Sequence, residues 1–200
     1  MDAETIRHSD HYDIAIWVPG CAILSSAGLA ASGGEVLWLV VKWEIMATFV
    51  LAFLIGVVAG LRSMTAPAAV SWAARLGWLH LENTWLAFLA FAATPYIWSG
   101  LAVGELIADK LPKIPSRKTP GPFIARIMVG ALCGAALGAT SQTLMGGLLA
   151  GALGGVAGTL GGYEFRARLV RAIGGKDLPI ALFEDAIAIG GAILIVTRFS

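Results

Sequence analysis

The sequence predicts an all-α, polytopic helical membrane protein. Three observations carry that expectation. Hydrophobic residues make up 58 % of the 200-residue chain and charged residues only 14 %, a balance outside the range of soluble domains. Several apolar runs reach the roughly 20 residues that a helix needs to cross a bilayer core of about 30 Å. The longest such run, 130–162, carries no charge and is studded with glycine. Together they predict five transmembrane helices, a sixth candidate at the N-terminus and a glycine-zipper hairpin at the centre. Residues 1–45 read as an N-terminal extension with a weak apolar span, and 46–200 as a single helical membrane domain.

The hairpin comes first because its pattern is the most specific. Its length exceeds one crossing, and Thr140-Ser141-Gln142-Thr143 is the one polar interruption, so two antiparallel helices are expected. Gly130, Gly134 and Gly138 recur at intervals of four on the first arm, as do Gly147, Gly151 and Gly155 on the second. That spacing puts each set on one helix face. Small residues on a shared face let helix backbones approach closely, which drives association where lipid offers no hydrophobic gain.

The remaining elements follow in chain order. Residues 1–13 are polar and acidic, and 14–41 are apolar but rich in Gly and Ser and contain Glu35. With no basic leader and no A-x-A site, a signal peptide is not expected. Residues 46–61, MATFVLAFLIGVVAGL, make a clean span. A break at 62–67 (RSMTAP) precedes a short helix to about residue 79, with Thr65 or Ala66 at its cap and Pro67 in its first turn. Trp72, Trp78 and His80 point to a membrane interface. Residues 84–109 form the next span, kinked at Pro95, and the proline-rich 111–122 cannot be helical throughout. The two hairpin arms, 123–142 and 144–162, lead into a basic interfacial turn at 164–171 (EFRARLVR), a break at 174–179 and a last span at 180–197.

Basic residues set the orientation. Lys110, Lys113, Arg117 and Lys118 occupy one loop, and Arg166, Arg168, Arg171 and Lys176 another, whereas the 140–143 turn has none. The positive-inside rule makes loops 110–122 and 163–179 cytoplasmic. The 46–61 span then runs from inside to outside and the C-terminus lies outside, with Arg62 and Arg75 as exceptions on the outer side.

At GLRSMTAPAAVSW (60–72), ELIADKLPKIPSR (105–117) and LFEDAIAIGGA (182–192), the chain resembles the bacterial integral-membrane family catalogued only as domain of unknown function 4126. The likeness covers about residues 46–200 in the same order of spans. It implies a multi-pass protein of the bacterial inner membrane. No activity, substrate or cofactor comes with it, and no residue role is carried over.

Ionisable groups in apolar spans are costly, so they face protein or water-filled cavities and tend to be paired. Glu105 and Asp109 share a helix face at i and i+4, and Glu184 and Asp185 lie about a turn into the last span. Arg126 sits at the same depth on the first hairpin arm. These five form a candidate polar pathway toward the cytoplasm, or ion pairs that only lock helices together. On the opposite side Arg62, Ser63 and Thr65 form a candidate anion site, because a helix start offers free N–H groups and the positive end of a dipole.

Several function classes fall away. Net charge is +1 and no basic patch is interleaved with aromatics, so nucleic acid is not an expected partner. Cys21 and Cys133 lie in apolar segments without a CxxC, and the three histidines all precede the hairpin. Neither a metal site, a disulfide framework nor a histidine-based dyad is expected. No phosphate-binding or dinucleotide motif is present, so no cofactor is expected, and an enzyme would have to be built from the acids alone. The expected partners are the lipid bilayer and a second copy of the chain. Two readings remain: a small transporter or channel for an ion or small anionic solute, and a non-catalytic membrane scaffold that packs through its glycine seam. An inverted repeat, 46–109 against 144–198, is the architectural expectation that would favour transport.

Overall fold

The computed structural model describes residues 33–108, 120–172 and 178–200. The expectations for residues 1–32, for Asp109 and for Lys110, Lys113, Arg117, Lys118 and Lys176 lie outside them. All regular elements of the described residues are helical: α1 (Gly33–Leu61), α2 (Thr65–Arg75), a 3₁₀ segment (Trp85–Ala90), α3 (Thr94–Ala108), α4 (Pro120–Thr140), α5 (Leu144–Ala172), α6 (Leu178–Val196) and a closing 3₁₀ turn (Thr197–Phe199). Within them, Trp38–Leu61, Pro120–Thr140, Leu144–Arg171 and Pro179–Phe199 are long and apolar enough to cross a membrane. Contacts divide the chain into residues 1–41 and 42–200, the second holding α2 to α6 and the C-terminal portion of α1.

Three of the expected elements take a different form. Helix α1 begins at Gly33 and continues through Met46, because nothing between them breaks a helix. The 84–109 span is in two pieces. Thr84 caps the 3₁₀ segment by accepting from the Leu86 amide at 3.3 Å, and α3 starts afresh at Thr94. Pro95 stands in the first turn of α3, where its missing N–H costs nothing, rather than at a kink. The basic 164–171 segment is the end of one 29-residue helix, α5, since no Gly-Pro or cap signal separates it from the glycine-rich arm.

Helices α4 and α5 form the hairpin, turning at Ser141 and Gln142, whose φ of 54° lies in the left-handed region. A Cβ on Gly130 would stand 2.7 Å from the carbonyl oxygen of Gly151, and one on Gly138 would stand 2.7 Å from that of Thr143 and 2.9 Å from the Gly147 Cα. Gly134 meets Gly147 and Gly151, and Gly155 faces the Arg126 backbone. Only glycine leaves room at these crossings. The other face of α5 receives α1. Gly56 lies on Gly151, Gly60 on Gly155 and Gly158, and the Phe49 ring on Gly146. Those contacts rise together in number along both chains, so α1 and α5 are parallel.

Contacts of α1 with α4 run the other way: Thr48 Oγ1 lies 2.9 Å from Ser141 Oγ, and Arg126 reaches the Gly60 carbonyl at 2.7 Å. Parallel α1 and α5 overturn the inverted repeat, which needs the two helices to run in opposite senses. They also reverse the direction expected for the 46–61 span. Leu61, not Met46, lies toward the ends of α4 and α5 that adjoin the basic loops.

Helix α1 stops short of that end. Its last residue is level with Arg126, the seventh residue of α4, and Arg62 meets Asp185, the eighth of α6. At 1.5 Å per residue the break lies about 10 Å inside helices of roughly 30 Å. Helix α2 then turns back beside α6, its end meeting Ile193, Val196 and Thr197. Helix α3 returns antiparallel to α2, fixed by Trp72 Nε1 donating to Ser99 Oγ at 3.1 Å and by an edge-on contact of Trp72 with Tyr96. The α1–α2 corner is thus a turn that folds the chain back between the ends of the long apolar helices.

Gly151→Leu or Gly134→Leu should lower unfolding stability in detergent by about 3 kcal/mol or more, since the added side chain must force the facing backbones apart. Leu149→Phe, on a side chain that is 61 % exposed, should change it by less than about 0.5 kcal/mol. Denaturant titration of the three variants separates the outcomes, and equal stabilities would contradict the packing.

Candidate functional site

Ending a helix within an apolar layer frees backbone groups at both sides of the break, and each must find a partner. The Arg62 amide still donates to the Val58 carbonyl at 2.7 Å, the last bond of the α1 ladder. Beyond it, the Gly60 and Leu61 carbonyls accept from Arg126 Nη1 at 2.7 and 3.3 Å. Thr159 Oγ1 also lies 3.3 Å from the Gly60 oxygen and 2.8 Å from that of Gly155. On the α2 side, the Ser63 and Met64 amides donate to Glu105 Oε1 and Oε2, each at 2.9 Å.

One carboxylate therefore spans the first two amides of the turn. It stands where the positive end of the α2 dipole favours an anion. The expected Thr65 or Ala66 cap is replaced. Met64 holds the cap position without a side-chain hydrogen bond, because Glu105 supplies from α3 what a local Ser or Thr would otherwise provide.

Charged side chains converge on this turn. Arg62 is wholly buried and ion-paired with Asp185. Arg126 Nη2 lies 3.7 Å from Glu105 Oε1, and Arg166 Nη1 lies 3.6 Å from Glu184 Oε2. Arg126, Glu184 and Asp185 are all buried. Three guanidinium groups thus face three carboxylates across α1, α3, α4, α5 and α6. Attraction between opposite charges offsets part of what their removal from water costs, and taking away one partner leaves the other buried without compensation.

Sequence reasoning placed Glu105, Arg126, Glu184 and Asp185 at one depth, and the structure brings all four to this layer. It placed Arg62, Ser63 and Thr65 on the opposite side, whereas they join the same layer. The reason is the re-entrant turn, which no charge count reveals. At that turn the anion facing the Ser63 amide is the protein's own Glu105, and Arg62 is engaged by Asp185. Asp109 lies outside the described residues. Arg166 and Thr159 were missed. The uninterrupted helical pattern of 144–172 was the available signal for Arg166, and a threonine among the α5 glycines was that for Thr159. The six packing glycines, Gly130, Gly134, Gly138, Gly147, Gly151 and Gly155, lie between α4 and its neighbours. Their packing brings Arg126 and Thr159 within reach of Gly60.

Among the described residues no cluster of three or more His, Cys, Asp or Glu is arranged to hold a metal ion. Compared with known proteins, the chain matches no family model, no curated protein and no solved structure.

Arg62→Met alone, or Asp185→Leu alone, should cost about 3–5 kcal/mol of stability by leaving a buried charge without its partner. The double variant should cost far less than the sum. A double-mutant cycle of unfolding in mild detergent measures the difference, and additive losses would show that the two groups do not interact.

Proposed function

We propose that the chain is a small membrane transporter or channel for an ion or a small anionic solute, and that the charged layer at the α1–α2 turn lies on its path. The observation that carries this reading is the Glu105 carboxylate seated on the Ser63 and Met64 amides beside Arg126. A carboxylate in that place is a tethered anion. A solute anion that competes with it exchanges one occupant of the helix end for another. Broken helices whose ends meet charged groups near mid-membrane are the usual form of solute sites in transporters, and irregular backbone at that depth occurs where protein or a wet cavity surrounds it.

The scaffold reading is favoured by one fact, the presence of a guanidinium facing each described acid of the layer. Against it stands the use of the seam. We read the glycine contacts as a zipper joining α4, α5 and α1 within one chain, which leaves its small-residue faces occupied and not free for a partner. A homo-oligomer would then form through the exposed apolar faces.

We place the protein in the bacterial inner membrane with the 110–122 loop and the loop after α5 in the cytoplasm. The resemblance to the family of unknown function supports that placement. Its three stretches, 60–72, 105–117 and 182–192, are those that supply Arg62, Glu105, Glu184 and Asp185 to the layer.

Reconstituted in liposomes and tested against a panel of inorganic anions and small carboxylates, the protein should pass at least one of them. Glu105→Gln should alter that flux by about tenfold, because the tethered charge is gone. If Glu105→Gln and the pair Glu184→Gln with Asp185→Asn leave flux and pH profile unchanged, the acids are off the path. Absence of flux for every solute would favour the scaffold.

Orientation has its own test. In a variant lacking Cys21 and Cys133, a membrane-impermeant maleimide added outside the cell should label a cysteine introduced at Gln142. It should spare one introduced at Lys118 until the membrane is opened. Labelling of position 118 from outside would invert the assignment.

A further inference from the structure

A second feature lies at the far end of α2, away from the charged layer. Ala69, Trp72, Ala73, Leu76 and Trp78 face Ile193, Val196 and Thr197 of the α6 end across a cavity of about 250 Å³. Its lining is carbon almost throughout, since the Trp72 indole N–H is turned away to Ser99. Trp72, Leu76 and Ile193 are 37, 57 and 52 % exposed, so the cavity is a groove open at the side of the bundle. For scale, an apolar cavity of about 150 Å³ stays dry and takes up benzene. This one has room for a stretch of hydrocarbon chain.

Its position says what hydrocarbon is at hand. The groove runs along α2 and α6 at the end where α6 leaves its apolar span, on the same side as the 141–142 turn. A groove there opens on acyl chains. Two cations adjoin the lining in sequence. Arg75 directly precedes the lining residue Leu76, and Arg198 directly follows the lining residue Thr197, and both arginines are exposed. This end of the protein is otherwise poor in basic residues, with none in the 140–143 turn. Arg75 and Arg198 both run against the positive-inside pattern.

Exposed guanidinium groups next in sequence to the lining of an apolar groove suit a phosphate joined to an acyl chain. Arginine binds phosphate through paired N–H groups, and the chain below is removed from water at about 25 cal/mol per Å². We propose that the α2–α6 groove binds an anionic phospholipid, its acyl chain between Trp72 and Ile193 and its phosphate between Arg75 and Arg198. The site is independent of the transport reading, because none of its residues belongs to the charged layer.

Native mass spectrometry of the full chain, released from detergent with equimolar dioleoyl phosphatidylglycerol and dioleoyl phosphatidylcholine, tests this. The wild type should retain one phosphatidylglycerol in at least fivefold preference. Arg75→Gln with Arg198→Gln, at exposed positions where folding is not at stake, should bring the two lipids to parity. Ala69→Leu, which fills the groove, should reduce retention of both while the thermal unfolding temperature in detergent stays within a few degrees. Glycerol phosphate, which has the headgroup chemistry without a chain, should not be retained. Parity in the wild type would overturn the proposal, as would an undiminished preference in the double variant or retention of glycerol phosphate. A groove covered instead by a second copy would appear as a dimer that the lipid does not displace and that Ala69→Leu dissociates, which would overturn it equally.

Discussion

A helix that ends inside an apolar layer leaves N–H and C=O groups that lipid cannot satisfy. In this protein two charged side chains meet that requirement. Glu105 accepts from the first amides beyond the break, and Arg126 donates to the last carbonyls before it. Each unsatisfied group would cost several kcal/mol in hydrocarbon, so the re-entrant corner depends on this pair being in place. The pair depends in turn on its own charge balance, and Arg126 and Glu105 face each other at 3.7 Å.

The glycine packing and the charged layer act as one unit. Arg126 bonds the Gly60 carbonyl directly because α4 and α1 approach with only glycine at their crossing, where a Cβ on Gly130 would lie 3.4 Å from the Gly56 Cα. Thr159 reaches the same oxygen from α5 for the same reason. Wider helix spacing would put a water-sized gap in the place of these bonds, in a region where water is scarce. Close packing supplies the geometry, and the buried charges then restrict which helix register can be occupied.

The layer also connects segments remote in sequence. Arg62 follows α1, Glu105 is on α3, Arg126 on α4, Arg166 on α5, and Glu184 and Asp185 on α6. A change of charge at any one of them alters the field at all the others, because separations are short and screening is weak in the interior. The layer's confinement to one level of the bundle leaves the other end of α2, with its apolar groove, free for contact with lipid.

Composition and local pattern determined the membrane class, the helical content, the α4–α5 hairpin with its turn at 140–143, and the depth of Glu105, Arg126, Glu184 and Asp185. These follow from short-range rules: apolar run length, a fourfold glycine spacing, and distance from a span's end. Tertiary structure alone decided three other matters. It made α1 parallel to α5 and removed the inverted repeat. It divided 84–109 at Thr94 and carried α5 through Arg171. Above all, it folded the chain back at Arg62 and so joined an arginine and two amides expected on one side of the membrane to acids expected on the other. The physical reason is that a break in a helix is legible locally, whereas the direction in which the chain leaves it depends on which distant groups satisfy the freed backbone. Here those groups stand 42 and 66 residues away, at Glu105 and Arg126.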